Sequence, residues 1–117
     1  MFYEICIYEA KLDKQDEIEE LMKEVAAFYK GTDGIKDVRY IKRTHRQEDF
    51  NSVKEGVPPV RLTRYVGKVT YVLILGTENE KAHGDLAKAA LPVFYKRWTR
   101  CLTAMPKIIL GTDIFDL

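Results

Sequence analysis

Two histidines, two cysteines and one tryptophan are all that this 117-residue chain offers of its scarcest side chains. A zinc or iron site needs three or four ligands at helix or hairpin spacing. Neither Cys6 nor Cys101 stands near His45 or His83 in sequence, so no metal is expected. Two isolated thiols read as reduced and buried rather than bridged. No dinucleotide fingerprint, phosphate-cradling glycine loop or nucleophile elbow is present, so no cofactor is expected from motif. The net charge of +1 leaves no global field to draw nucleic acid or an anionic membrane. Apolar runs such as Val72-Leu73-Ile74-Leu75 are far too short to cross a bilayer. Met1-Phe2-Tyr3-Glu4 lacks the basic start of a secretory signal, and a cytoplasmic protein is the expectation.

What the chain does have is 46% hydrophobic and 32% charged residues, the balance of an ordinary globular unit, and its length predicts one domain over 1–117. The hydrophobic period changes in a definite order. Alternation over Tyr3 to Ala10 predicts a strand, and a 3.6-residue stripe over Ile18, Leu21, Met22, Val25 and Tyr29 predicts a helix starting at an Asp13 cap. The helix stops at Gly31 or Gly34. A second strand spans roughly Lys36 to Arg46. Gln47 to Pro59 reads as a connection, and Gly67 marks a bend before the strongly β stretch Lys68 to Leu75. A second helix starts near Thr77 or Asn79 and ends near Thr103. Its predicted inner face holds Ala82, Leu86, Ala90, Val93, Phe94, Trp98, Cys101 and Leu102, and Pro92 is expected to kink or restart it. A last strand follows, whose consecutive Ile108, Ile109 and Leu110 predict cover on both faces. This is the βαββαβ, ferredoxin-like order of an α+β fold, an antiparallel sheet with two helices on one face.

Tyr3, Ile5 and Ile7 form the larger apolar set of the first strand and are expected to meet the helices, leaving Glu4, Cys6 and Tyr8 on the other side, a mixed face suited to a partner subunit or a semi-polar cavity rather than to a dry core. With Val72 or Ile74 beside them, these predict an outward face too apolar for water, which a second copy of the chain would cover.

Two groups of side chains could carry chemistry. On strand two, Arg39, Arg43 and His45 share one face if alternation holds. Converging guanidinium groups suit a carboxylate, a phosphate or an enolate-type oxyanion, and an imidazole can move a proton. The alternative is an edge strand defended by charge. The second group is aromatic: Tyr8, Tyr71, Phe94, Tyr95 and Trp98 could wall a pocket for a flat, ring-bearing ligand. The alternative is an ordinary aromatic core or a dimer contact. His83, beside Gly84 and Asp85, reads as a surface or first-turn histidine. The stacking aromatics that an RNA-recognition sheet requires are missing.

The first strand Phe2-Tyr3-Glu4-Ile5-Cys6-Ile7-Tyr8, the turn Gly34-Ile35-Lys36 and the segment Thr77-Glu78-Asn79-Glu80-Lys81-Ala82-His83 resemble the dimeric α+β barrel superfamily, especially its antibiotic-biosynthesis-monooxygenase group. The resemblance implies a homodimer that packs two sheets into a barrel, with a cavity in each protomer between sheet and helices. It implies cofactor-independent monooxygenation or isomerisation of an aromatic or enolisable substrate, or else a non-catalytic binding or assembly module. On that reading Arg43 and His45 stabilise or protonate an anion, Arg39 adds charge, and Tyr8, Tyr71, Tyr95 and Trp98 frame the ring. The asparagine of the haem-degrading branch is replaced by Cys6 and Ile7, so haem is not expected.

Overall fold

A computed structural model describes residues 1–48 and 50–117. β1 (Phe2–Ala10) leads through a short 3-10 turn (Leu12–Lys14) into α1 (Gln15–Lys30). β2 (Ile35–Lys42), a five-residue α2 (Phe50–Lys54), β3 (Val69–Thr77), α3 (Glu80–Cys101) and β4 (Lys107–Thr112) follow. The strands form one antiparallel sheet in the order β2-β3-β1-β4, the ferredoxin-like arrangement, with α1 and α3 on one face.

Local chemistry explains most boundaries. Asn79 caps α3, its side-chain oxygen accepting from the Ala82 amide at 2.9 Å. Asp13 makes no such bond. It sits in the 3-10 turn, and α1 begins two residues later without a side-chain cap. α3 runs unbroken through Pro92 instead of restarting there. Strand two stops at Lys42, short of the expected Arg46, and the connection expected over Gln47 to Pro59 contains α2 and includes Asp49, outside the described residues.

The register settles which side of each strand meets the helices. Cys6, Tyr8 and Ala10 are buried together with Tyr71, Leu73 and Leu75 of β3 against Ile18, Met22, Leu86 and Cys101. The expected sides of β1 are therefore exchanged. Tyr3, Ile5 and Ile7 lie on the open face, and Glu4, Cys6 and Tyr8 face the helices. Ile5 pairs with Ile74 and Ile109, and Ile7 with Val72, so the open face carries an aliphatic band. Two other expectations fail. Val93 is exposed, and β4 is exposed on both sides in the single chain.

α1 is fixed to the sheet by packing and by one polar contact. Leu21 and Val25 meet Ala90 and Phe94 of α3, with Phe28 edge-on to Phe94. At the sheet margin, Lys42 Nζ and the Tyr71 hydroxyl both donate to Glu19 Oε2 at 2.7 Å. The start of α3 is held from β2. Gly34, at φ +85°, accepts from the Glu78 amide at 2.8 Å, and a Cβ there would lie 2.8 Å from the Ala82 Cβ.

Two outcomes follow. Gly34→Ala forces both a left-handed backbone and a collision, and should destabilise the protein by about 2 kcal/mol in urea unfolding. Burial alone would raise the Glu19 carboxyl, but the bonds from Lys42 and Tyr71 outweigh it and hold the carboxyl below its ordinary 4.5. A lowered folded-state value stabilises the fold above the unfolded value and is lost as pH falls through the folded one. Glu19→Gln should therefore remove part of the stability decline below about pH 4.5 and cost about 1 kcal/mol at neutral pH. An unchanged acid limb in the variant contradicts this.

Candidate functional site

The inner face of β1 does not finish as a dry core. A cavity of about 500 Å³ lies between β1, β4 and α3, a size suited to a small organic molecule. Its floor is the row Glu4, Cys6 and Tyr8, flanked by Ile108 and Leu110 of β4. Its roof is the α3 side that carries Ala87, Leu91, Tyr95 and Trp98, and the turn Leu102 to Pro106 closes one side. Alanines at 87 and 90 and a thiol at 6 leave room that bulkier residues would fill. Leu91, Tyr95 and Met105 are exposed and form an apolar mouth.

The two ends differ. At one end Tyr8 stacks on Trp98, ring centroids 4.6 Å apart and planes 8° from parallel. Tyr40 leans on both rings at 6.3 Å. At the other end Glu4 Oε1 lies 2.6 Å from His83 Nε2, with both side chains less than a fifth exposed. Phe2 meets the His83 ring edge-on at 5.3 Å. Burial pushes the Cys6 thiol up to about 11 and the Tyr29 phenol to about 12, and it raises Tyr8 well beyond its ordinary value. These groups therefore stay neutral and act as hydrogen-bonding groups at physiological pH. Among the described residues no group of three or more His, Cys, Asp or Glu side chains is placed to hold a metal ion.

Of the residues singled out from sequence, the cavity brings together Tyr8, Tyr95 and Trp98. It does not include Tyr71, Arg39, Arg43 or His45. The Tyr71 hydroxyl points the opposite way, to Glu19, where burial and that carboxylate raise its pKa. Arg39 pairs in register with Ile74, on the open face, 3.7 Å from the Asp37 carboxylate. Arg43 reaches Glu48 at 3.5 Å. His45 is exposed, bridged to Arg61 and bonded through Nδ1 to the Thr44 hydroxyl at 2.8 Å. The strand alternation that grouped Arg39, Arg43 and His45 ends with β2 at Lys42.

Sequence reasoning missed His83 as a cavity group and gave Glu4 no chemical role. Glu4 was the available signal, an acid whose cross-strand neighbours are Leu75 and Leu110. An acid in an apolar row needs a partner, and His83 is one turn into α3.

No family model matches the chain, and no curated protein does. Solved structures do match along the whole length. An antibiotic biosynthesis monooxygenase superposes with a TM-score of 0.69 at 10% identity, covering 97% of this chain and 99% of that one. At3g17210 from Arabidopsis thaliana gives a TM-score of 0.69 at 14% identity, covering 100% and 99%. Rv0793 from Mycobacterium tuberculosis gives 0.67 at 8% identity, covering 98% and 96%. This chain has the α+β, ferredoxin-like fold of the antibiotic-biosynthesis-monooxygenase-like proteins.

Proposed function

We propose that the chain, as one domain over 1–117, is a small-molecule-binding dimeric α+β barrel protein of the cytoplasm. In this reading it is a cofactor-independent monooxygenase or isomerase for an aromatic or enolisable substrate. The observation that carries the reading is the cavity of about 500 Å³, open at one side and closed at one end by the Tyr8–Trp98 stack. A flat ring can extend that stack, and the apolar mouth favours an apolar body over a charged one. The match in fold to an antibiotic biosynthesis monooxygenase supports the reaction class.

The homodimer rests on the open face. Ile5, Ile7, Val72 and Ile74 are only half-buried there, while Ile41 and Ile109 are 44% and 61% exposed. Covering several hundred Å² of such surface is worth several kcal/mol at about 25 cal/mol per Å², before the costs of association. The charged Arg39 and Lys107 flank this band and suit a polar rim. No helix among the described residues is long and apolar enough to cross a membrane.

A second reading, a non-catalytic binding or assembly module, is favoured by the exposure of His45, which lies outside the cavity beside α3.

Two measurements check the proposal. Because Trp98 is the single tryptophan, 1-hydroxy-2-acetonaphthone, an aromatic ketone, should quench its fluorescence saturably. Ala87→Phe, at the exposed margin of the cavity, should weaken that binding about tenfold or more. Linear, non-saturating quenching with the variant unchanged sinks the cavity reading. For the dimer, Ile74→Asp should convert the sedimenting species from two copies to one. A wild-type protein that sediments as a single copy contradicts it.

A further inference from the structure

We infer that Glu4 and His83 form a carboxylate–imidazole base at one end of the cavity. It would remove a proton from the carbon or phenol acid of a substrate whose apolar body lies toward the Tyr8–Trp98 end. The inference rests on the cavity reading above and adds to it the proton acceptor and the orientation of the substrate.

The geometry sets the roles. With Nε2–H donating to Glu4 Oε1 at 2.6 Å, the ring keeps its lone pair on Nδ1, and no hydrogen bond among the described residues occupies that atom. The imidazole is on the cavity wall, and Glu4 is on the floor beside it. Glu4 does not itself take the proton; it fixes the tautomer and stabilises the imidazolium that forms, which makes it a positioning residue. His83 is held from three sides. Its amide bonds the Asn79 carbonyl at 3.3 Å, Phe2 lies edge-on to the ring, and the preceding residue, Ala82, is packed against Gly34.

A purely structural role accounts poorly for the pair. Glu4 faces Leu75 and Leu110 across the strands, where a leucine would extend the apolar row without any desolvation cost. The carboxylate is instead kept where it reaches one group, an imidazole on the cavity wall. The next floor group along the strand, the Cys6 thiol, is held neutral by burial and can donate to the oxyanion that develops. The distance from Glu4 to Tyr8 along β1 is about 13 Å at about 3.3 Å per residue. A substrate with its acidic end at His83 and a ring or chain reaching Trp98 therefore spans the cavity.

In the step, the substrate C–H or O–H bond breaks, an N–H bond forms at His83 Nδ1, and the electron pair remains on the substrate as an enolate or phenolate. An isomerisation returns the same proton to a different atom, so no oxidant is needed.

The test uses 5-nitrobenzisoxazole, an apolar ring that opens when a base removes its one acidic carbon-bound proton. The C–H and N–O bonds break, a nitrile forms, and a coloured phenolate is released. The wild-type protein should open it with saturation. His83→Ala should lower kcat about a hundredfold and Glu4→Gln about tenfold. Probe affinity, read by Trp98 quenching, and the circular dichroism should stay unchanged. His83→Asn serves if the alanine variant does not fold. Saturable quenching without any wild-type rate, or a rate untouched by both substitutions, overturns the base and leaves the cavity reading standing. A rate lost in His45→Ala but kept in His83→Ala also overturns it. Absence of saturable quenching by the probe overturns the cavity reading and this inference together.

Discussion

The pleat of β1 is the constraint on which the rest of the molecule depends. β1 is a central strand, paired with β3 on one side and β4 on the other, so each of its residues is committed to one face of the sheet. Glu4, Cys6 and Tyr8 go to the helix side and Tyr3, Ile5 and Ile7 to the open side. Slipping the register by one residue would put the dyad and the aromatic stack into solvent and the isoleucines into the cavity. The cavity, the open aliphatic band and the position of Glu4 are three consequences of a single alternation.

That alternation also explains which parts of the structure were legible beforehand. The element order and the ferredoxin-like topology could be read because the change between periods of two and 3.6 residues is strong from β1 to α1, and Asn79 and Gly31 punctuate the helices where expected. The facing of β1 was misread because the greasier side was assumed to be the inner one. That assumption holds when the inner face is filled and the outer face is wet. Here the inner face holds a thiol, a phenol and a carboxylate around a cavity, and the outer face is the more aliphatic of the two.

The site was legible only in its aromatic half. Tyr8, Tyr95 and Trp98 announce themselves as large rings, although of the three only Trp98 was expected on an inner face. Tyr71 looked the same from sequence, and only the position of Glu19, distant in sequence, draws its hydroxyl to the far margin of the sheet. The basic segment misled for another reason. Arg43 and His45 lie beyond the end of β2, in irregular chain where alternation carries no information about facing. The Glu4–His83 contact spans 79 residues of sequence and depends on β1 and the first turn of α3 starting at the same end of the sheet. No local pattern encodes that.

The central claim is that the helix-side row of β1 presents a carboxylate-oriented imidazole to a ligand cavity. Nitrogen-15 correlation spectra of the two imidazoles, assigned with His45→Ala and recorded before and after adding an aromatic ketone, test it most directly. The account predicts that His83 carries its proton on Nε2 and that its Nδ1 resonance shifts with the ligand while His45 stays still. A His83 protonated on Nδ1, or ligand shifts confined to His45, would contradict it.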